Sequence, residues 1–206
     1  MKENIRFKGV FIHPTAEVSD EATIHRGTAI WNQAQVREHA KIGMKCNLGK
    51  DVYIDAEVKI GNDVKIQNGV SVYRGVEIED DVFLGPYMTF TNDLYPRAWI
   101  VNFELCTTKI KKGASVGANA TIICGITIGE YAMVGAGSVV TQDIPAYSLV
   151  IGNPARITGF VGKSGQKLNE LIEEMDNYVL LRNRENGEEQ KIDKDLYYQT
   201  LNNNKL

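Results

Sequence analysis

"VYIDAEVKIGNDVKIQNGVSVY", residues 52 to 73, sets an aliphatic side chain at every sixth place: Ile54, Ile60, Ile66 and Val72. The step extends both ways. From Ile12 it runs through Val18, Ile24, Ile30, Val36, Ile42 and Leu48, and beyond the stretch through Ile78 and Leu84 to Phe90, never landing on a polar residue. It resumes at Ile110 and gives Val116, Ile122, Ile128, Val134 and Val140. Two places before each aliphatic lies a second small or branched residue, first Ala16, Ala22, Thr28, Ala34, Ala40 and Cys46, then valines from Val52 to Val82. Glycine often follows the aliphatic, as at Gly43, Gly49, Gly61, Gly85, Gly117, Gly129 and Gly135. A period of six fits neither a helical stripe nor one long strand. It fits very short strands joined by tight turns, where Asn, Asp and Gly supply left-handed backbone angles, as in "GND" at 61 to 63. Units this small cannot bury an apolar face alone, so they must stack. Three hexads close one triangular coil. The expectation is an all-β parallel solenoid in which positions three hexads apart lie above one another, separated by roughly 4.8 Å.

The totals agree with one such domain plus a small appendage. The chain has 206 residues and a formal net charge of −3, which gives no basic field for nucleic acid. "MKENIRFKGV" has no signal-peptide pattern, and no apolar run is long enough to span a membrane. The three cysteines, Cys46, Cys106 and Cys124, make no disulfide framework and no zinc spacing, so a reducing cytoplasm is expected. The spacings of His13, His25 and His39 do not suit a metal either. The expected division is a coil domain over 1–160 and a C-terminal helix with hairpin or tail over 161–206. Leu168, Leu171, Ile172 and Met175 have helical spacing, with Ser164 as a candidate cap. "NYVLLRNRENGEEQKI" reads as a hairpin around Asn186-Gly187, and "LNNNKL" as a frayed tail.

One stretch breaks the repeat. In "GPYMTFTNDLYPRAWIVNFELCTTKIKKG", residues 85 to 113, the step from Phe90 to Ile110 is one hexad plus a surplus longer than two more. That surplus can only leave the coil as a loop, expected over 91–107. It departs above the column Arg37, Asp55, Tyr73 and Thr91. A solenoid has no pocket of its own, and a loop carrying Asn92, Asp93, Tyr95, Arg97, Trp99 and Glu104 can make one.

The isoleucine-rich hexads and "IGNPARI" at 151–157 resemble the left-handed β-helix acyltransferases, the hexapeptide-repeat family, over roughly residues 10 to 160. The left hand is implied by the resemblance, since parallel crossovers are normally right-handed. The resemblance also implies a homotrimer with acyl-CoA between subunits and no metal. "FTNDLYPRA", "VYIDAEVKIGNDVKIQNGVSVY" and "IGNPARI…GQKL" look like one branch of it. That branch is the bacterial N-acyltransferases of nucleotide-linked amino-deoxysugars, which serve surface-glycan synthesis. The dTDP-3-amino-3,6-dideoxyhexose N-acetyltransferases are the better match to "FTNDLYPR", ahead of the UDP-2-acetamido-3-amino-glucuronate enzymes.

Acyl transfer to an amine needs an unprotonated nucleophile, orientation, an acceptor for the ammonium proton and a donor for the tetrahedral oxyanion. Asp93 is the candidate acceptor for the amine, or a sugar ligand if no protein base acts. Asn92 would orient the amine or support the oxyanion. Asp55, Tyr73, Arg74, Tyr95, Arg97 and Glu104 are candidate substrate-binding residues, the two arginines facing pyrophosphate. The resemblance places a pantetheine arm along Gly117, Ala118, Gly135 and Ala136, with Lys111, Lys112 and Arg156 as phosphate partners. A sugar O-acetyltransferase is the alternative, disfavoured because no histidine lies in the loop; a non-enzymatic scaffold is a third reading. His25 sits about 17 Å below the loop along the coil axis, so all three histidines are read as structural or merely exposed.

Overall fold

The computed structural model describes residues 7–100 and 104–203. Strands mostly two residues long stack into three parallel sheets, the faces of a triangular prism. The first face begins at Phe11–Ile12, the second at Glu17–Val18 and the third at Thr23–Ile24. Register follows the repeat: Ile12 pairs with Ile30, Ile42 with Ile60 and Ile54 with Val72. Above the loop the partners shift by its extra length, so that Leu84 pairs with Val116, Phe90 with Ile122 and Ile78 with Ile110.

The aliphatic of each hexad points inward, and from Ile30 to Val140 those positions are essentially inaccessible to solvent. Each such side chain contributes about 1.5–3 kcal/mol of burial. The second column is filled mostly by Ala, Val or Cys, with Met88, Ile126 and Ser138 as exceptions, and where it holds threonine the hydroxyl is used. Thr28 Oγ1 donates to the carbonyl of Gly43 at 2.8 Å and accepts the amide of Cys46 at 3.1 Å.

The turns differ from expectation in an informative way. From Gly27 to Gly137 one residue per corner has positive φ, but it lies three places after the aliphatic, and its occupants include Gln33, His39, Lys45, Glu57 and Tyr131 as well as Asp63 and Asn119. Side chains that seldom adopt this conformation are held there because most of these corner amides bond the corner below, as Lys45 N does with Arg26 O at 3.1 Å. This also assigns His39, at φ 60°, to a turn. The glycines directly after the aliphatics serve another purpose. A Cβ on Gly85 would lie 2.6 Å from the amide of Ala118, and one on Gly117 2.5 Å from that of Ala136. These glycines let successive coils approach.

The C-terminal segment corrects one expectation. Residues 164–176 form no helix; Glu170–Glu174 is a strand, paired antiparallel with Tyr178–Arg182. The helical spacing there is incidental, because Leu171, Ile172 and Met175 are exposed and only Leu168 is buried. A neighbouring strand offered as a ready ladder outweighs a weak helical pattern. The Asn-Gly hairpin is present: Tyr178–Arg182 pairs with Glu189–Asp193, with Gly187 at φ 73°. The helix comes later, at Lys194–Asn203, and Asp193 caps it by accepting the amide of Leu196 at 2.9 Å. Residues 201–203 of the expected tail therefore continue the helix, and 204–206 lie outside the described residues. Val179, Leu181 and Ile192 pack with Phe160 and Tyr147 beside the last coil.

Glu188 fastens this unit. Its carboxylate accepts the amides of Lys163 and Ser164 and the Ser164 hydroxyl. Desolvation pushes its pKa up, but the bonds from Ser164, Lys163 and Asn186 together hold it below the usual carboxylate range. With the folded value below the unfolded one, the stabilisation is present above about pH 4.3 and lost as pH falls through the folded value. Denaturant unfolding of wild type and Glu188→Gln should therefore differ near neutrality and converge in acid.

Candidate active site

The loop leaves after Thr89–Phe90 on the second face and returns into Thr108–Ile110 on the third. Both roots are fixed to one corner above. The amide of Cys124 donates to Thr91 Oγ1 at 2.9 Å, and that of Gly125 to Thr108 Oγ1 at 3.1 Å. The expected loop 91–107 is thus an excursion from a rigid edge; its residues 101–103 lie outside the described residues.

Two small cavities form where the loop meets this edge. One, of about 230 Å³, is lined by Asp93, Leu94, Tyr95, Ile100, Glu104 and Cys106. The other, of about 210 Å³, lies between the returning residues Leu105 and Thr107 and the coil residues Glu57, Arg74, Gly75 and Glu77. Leu105 sits over Gly75, where a Cβ would be 3.0 Å from its Cγ. The structure thus brings Asp93, Tyr95 and Glu104 together, and places Arg74 one cavity away.

Asp93 closes an Asx turn, its Oδ1 accepting the amide of Tyr95 at 2.9 Å, which explains why a residue of this type begins the loop. Asn92 is half-buried beside it and lines neither cavity. Arg97 turns back, donating to the carbonyl of Pro96 at 2.7 Å. Tyr95 and Trp99 are 76% and 77% exposed, so these two aromatics have little cover from the described residues.

Asp55 is placed differently from the expected ligand role. Oδ1 accepts the Tyr53 hydroxyl at 3.0 Å and the amide of Ala56 at 2.8 Å, and Oδ2 accepts the amide of Arg74 at 3.2 Å. Its carboxylate ties one coil to the next and sets the backbone from which Tyr73 and Arg74 project. Tyr73 packs against Tyr53, ring centroids 6.0 Å apart. Burial, then the bond to Asp55, pushes the Tyr53 phenol up. Arg74 is held by Glu57, Nη2 to Oε2 at 2.8 Å. Sequence reasoning missed Tyr53, Glu57, Leu105 and Cys106. Tyr53 was recoverable, being the outward residue of a strand next to Asp55. Glu57 and Leu105 carry no signal until the loop's path is known.

The donor candidates lie on other edges of the prism. Gly117, Ala118, Gly135 and Ala136 follow first-face strands, at the corner between the first and second faces. Arg156 belongs with them, since it pairs with Ile151, whose Cγ1 would meet a Cβ on Gly135 at 3.0 Å. Lys111 and Lys112 lie at the third corner, beside a groove of about 560 Å³. Lys111 is engaged by Glu79 at 2.7 Å, a contact that raises its pKa and lowers that of Glu79. Lys112 lies 3.7 Å from Asp81. Within one chain the loop, the glycine corner and the lysines therefore occupy three different edges. None of the histidines lines either loop cavity, and no cluster suited to a metal occurs among the described residues. No helix among them is long and apolar enough to cross a membrane.

Residues 57–89 and 107–142 match the family described as bacterial transferase hexapeptide (six repeats), and the gap between the two segments is the loop. Over 61 residues, 30% of this chain and 32% of the relative, the sequence is 66% identical to dTDP-3-amino-3,6-dideoxy-alpha-D-galactopyranose 3-N-acetyltransferase of Aneurinibacillus thermoaerophilus. The chain thus spans about a third of the length of that curated relative. A hexapeptide-repeat acetyltransferase of Vibrio cholerae, solved with acetyl coenzyme A, is 31% identical at a TM-score of 0.52, over 57% of this chain and 69% of that one. A variant of the GDP-perosamine N-acetyltransferase of Caulobacter crescentus, solved with CoA and GDP-perosamine, is 26% identical at a TM-score of 0.53, over 74% of this chain and 58% of that one.

Proposed function

The chain belongs to the bacterial hexapeptide-repeat transferases, and from that premise we propose that it is an acyl-CoA-dependent N-acyltransferase. Its acceptor is the amino group of a nucleotide-linked amino-deoxysugar, dTDP-linked ahead of UDP-linked, in the cytoplasmic supply of surface glycans. The observation that carries this reading is the 66% identity over 61 residues with an enzyme named for that reaction. The loop supports it: where the repeat is interrupted, Asp93, Tyr95 and Glu104 line a cavity suited to a small cationic or hydroxylated group.

In this reading the neutral amine attacks the thioester carbonyl, the tetrahedral oxyanion collapses, and the CoA thiolate leaves. Sugar amines of this electronic kind titrate near the α-amino value of about 7.7–8.0, so a useful minority is already neutral near pH 7 and no strong base is needed. Asp93 accepts the hydrogen bond or proton of the amine, Asn92 orients it, and Arg74 and Arg97 face the pyrophosphate. The thin pantetheine arm follows Gly117, Ala118, Gly135 and Ala136, with Arg156, Lys111 and Lys112 toward its phosphates. Because these groups stand on separate edges of one prism, the site is completed by a neighbouring copy, and the functional unit is a homotrimer.

Thiol release from acetyl-CoA, followed with a panel of dTDP- and UDP-linked amino sugars, tests the reading. Turnover is expected with an amine and absent with the matching hydroxyl sugar. Turnover on hydroxyl sugars alone, or on none, overturns it.

A further inference from the structure

Cys106 and Cys124 stand three hexads apart where the coil resumes after the loop, one full turn of the repeat. The register there is explicit: Lys109 pairs with Thr127 and Ile110 with Ile128. Residues so related are parallel neighbours about 4.8 Å apart, inside the Cα separation of roughly 4.4–6.8 Å that a disulfide spans. A Cβ built on the adjacent Gly125 lies 3.5 Å from Cys106 Cβ, and the Cys106 thiol, whose hydrogen bond to the carbonyl of Glu104 is long at 3.9 Å, is close enough to Cys124 to feel it electrostatically. The two thiols are unequal. Cys106 lines the loop cavity with Asp93 and Glu104, whereas Cys124 is buried, 5% exposed. Cys46 stands apart, 1% exposed, with its thiol on the carbonyl of Gly61 at 3.1 Å.

We propose that Cys106 and Cys124 form a redox-active dithiol at the root of the loop, oxidised to an intramolecular disulfide by small-molecule disulfides of the glutathione type. The Cys106 thiolate, reached through the cavity, attacks one sulfur of the small disulfide and expels one thiolate. The Cys124 thiolate then attacks Cys106 Sγ and expels the second. Two cysteine S–H bonds and one S–S bond are consumed; one S–S bond and two small thiols are formed, the protons passing to the departing thiolates. An accessible attacking thiol in front of a buried resolving one is the arrangement such exchange needs. The product staples the returning end of the loop to the corner that already holds Thr91 at its exit. Desolvation, and then Cys124, push the Cys106 thiol up, so exchange is slow at neutral pH and accelerates as the solution becomes alkaline.

The readout is a covalent bond and does not depend on acyl transfer. Reduced full-length protein is incubated with oxidised glutathione at mildly alkaline pH, then examined by thiol titration in denaturant, intact mass and peptide mapping. Two of the three thiols should disappear with the loss of two hydrogens, Cys106 and Cys124 should appear in one linked peptide, and Cys46 should stay free. Cys124→Ser should instead stop at a single glutathione adduct on Cys106. A stable glutathione adduct on wild-type Cys106 without the internal link, bonds between chains, or Cys46 reacting as fast as Cys106 would each overturn the proposal.

Discussion

Asp93→Asn is expected to lower kcat for amine acylation by about 10²–10⁴, the range that a positioned proton acceptor contributes. The substitution keeps the size of the side chain and one oxygen for the amide of Tyr95, now 2.9 Å from Asp93 Oδ1, so the loop's turn survives. What it removes is the negative charge that the proposed mechanism turns toward the amine. A stopped assay of thiol release at saturating acetyl-CoA checks this, with KM for the sugar measured alongside. A large rise in KM with kcat preserved would assign Asp93 to sugar binding and no proton movement. His25→Asn is the control and should leave both constants within about twofold, the scatter of a surface change far from chemistry. Sharing of the site between copies has its own test. Ala136→Trp, at an exposed corner, should block the donor arm while leaving the loop intact. Mixed and reassembled with Asp93→Asn chains, it should regain activity at roughly a quarter of the sites, because a cyclic trimer then pairs an intact loop with an intact corner by chance. Two inactive parents that stay inactive after subunit exchange would place loop and donor corner in one chain.

The fold was legible because a two-residue strand leaves so little freedom. With one aliphatic per hexad pointing inward, the period states the register, and pairs such as Ile54 with Val72 follow. The length of the loop was legible for the same reason, since the repeat must close before and after it. The residues touching its interior were only partly so. Asp93, Tyr95 and Glu104 share a cavity, but the roles of Asp55 and Arg74 depend on where hydrogen bonds and ion pairs fall. Asp55 spends its oxygens on Tyr53, Ala56 and Arg74, and Arg74 is neutralised by Glu57, which no column of residue types discloses. The helix expected around Leu168–Met175 went wrong for a related reason. Its pattern was local, and the Asn-Gly hairpin downstream supplied a strand to pair with. The dithiol shows the opposite case, in which a spacing of three hexads is itself the geometry.

Phe90→Ala is expected to destabilise the protein by about 3–5 kcal/mol, the usual loss for a buried phenylalanine. Phe90 is fully buried, with Ile122 as its partner on the strand above, and it is the last inward residue before the chain leaves the coil. In a solenoid each coil is held only by its neighbours, so a cavity here is not relieved from elsewhere in the structure. The two halves of the prism meet at this level, joined by packing, by the ladder pairs of Ile78 with Ile110, Leu84 with Val116 and Phe90 with Ile122, and by corner bonds such as Cys124 N to Thr91 Oγ1 at 2.9 Å. The transition in urea should therefore shift to lower concentration and broaden as the halves lose cooperativity. Phe90→Leu keeps most of the volume and should cost under about 1.5 kcal/mol. Trp99→Ala, on the loop at 77% exposure, should be silent in the unfolding of the isolated chain. A loss below about 1 kcal/mol for Phe90→Ala would mean that the coil collapses around the gap. The junction under the loop would then be softer than its packing implies.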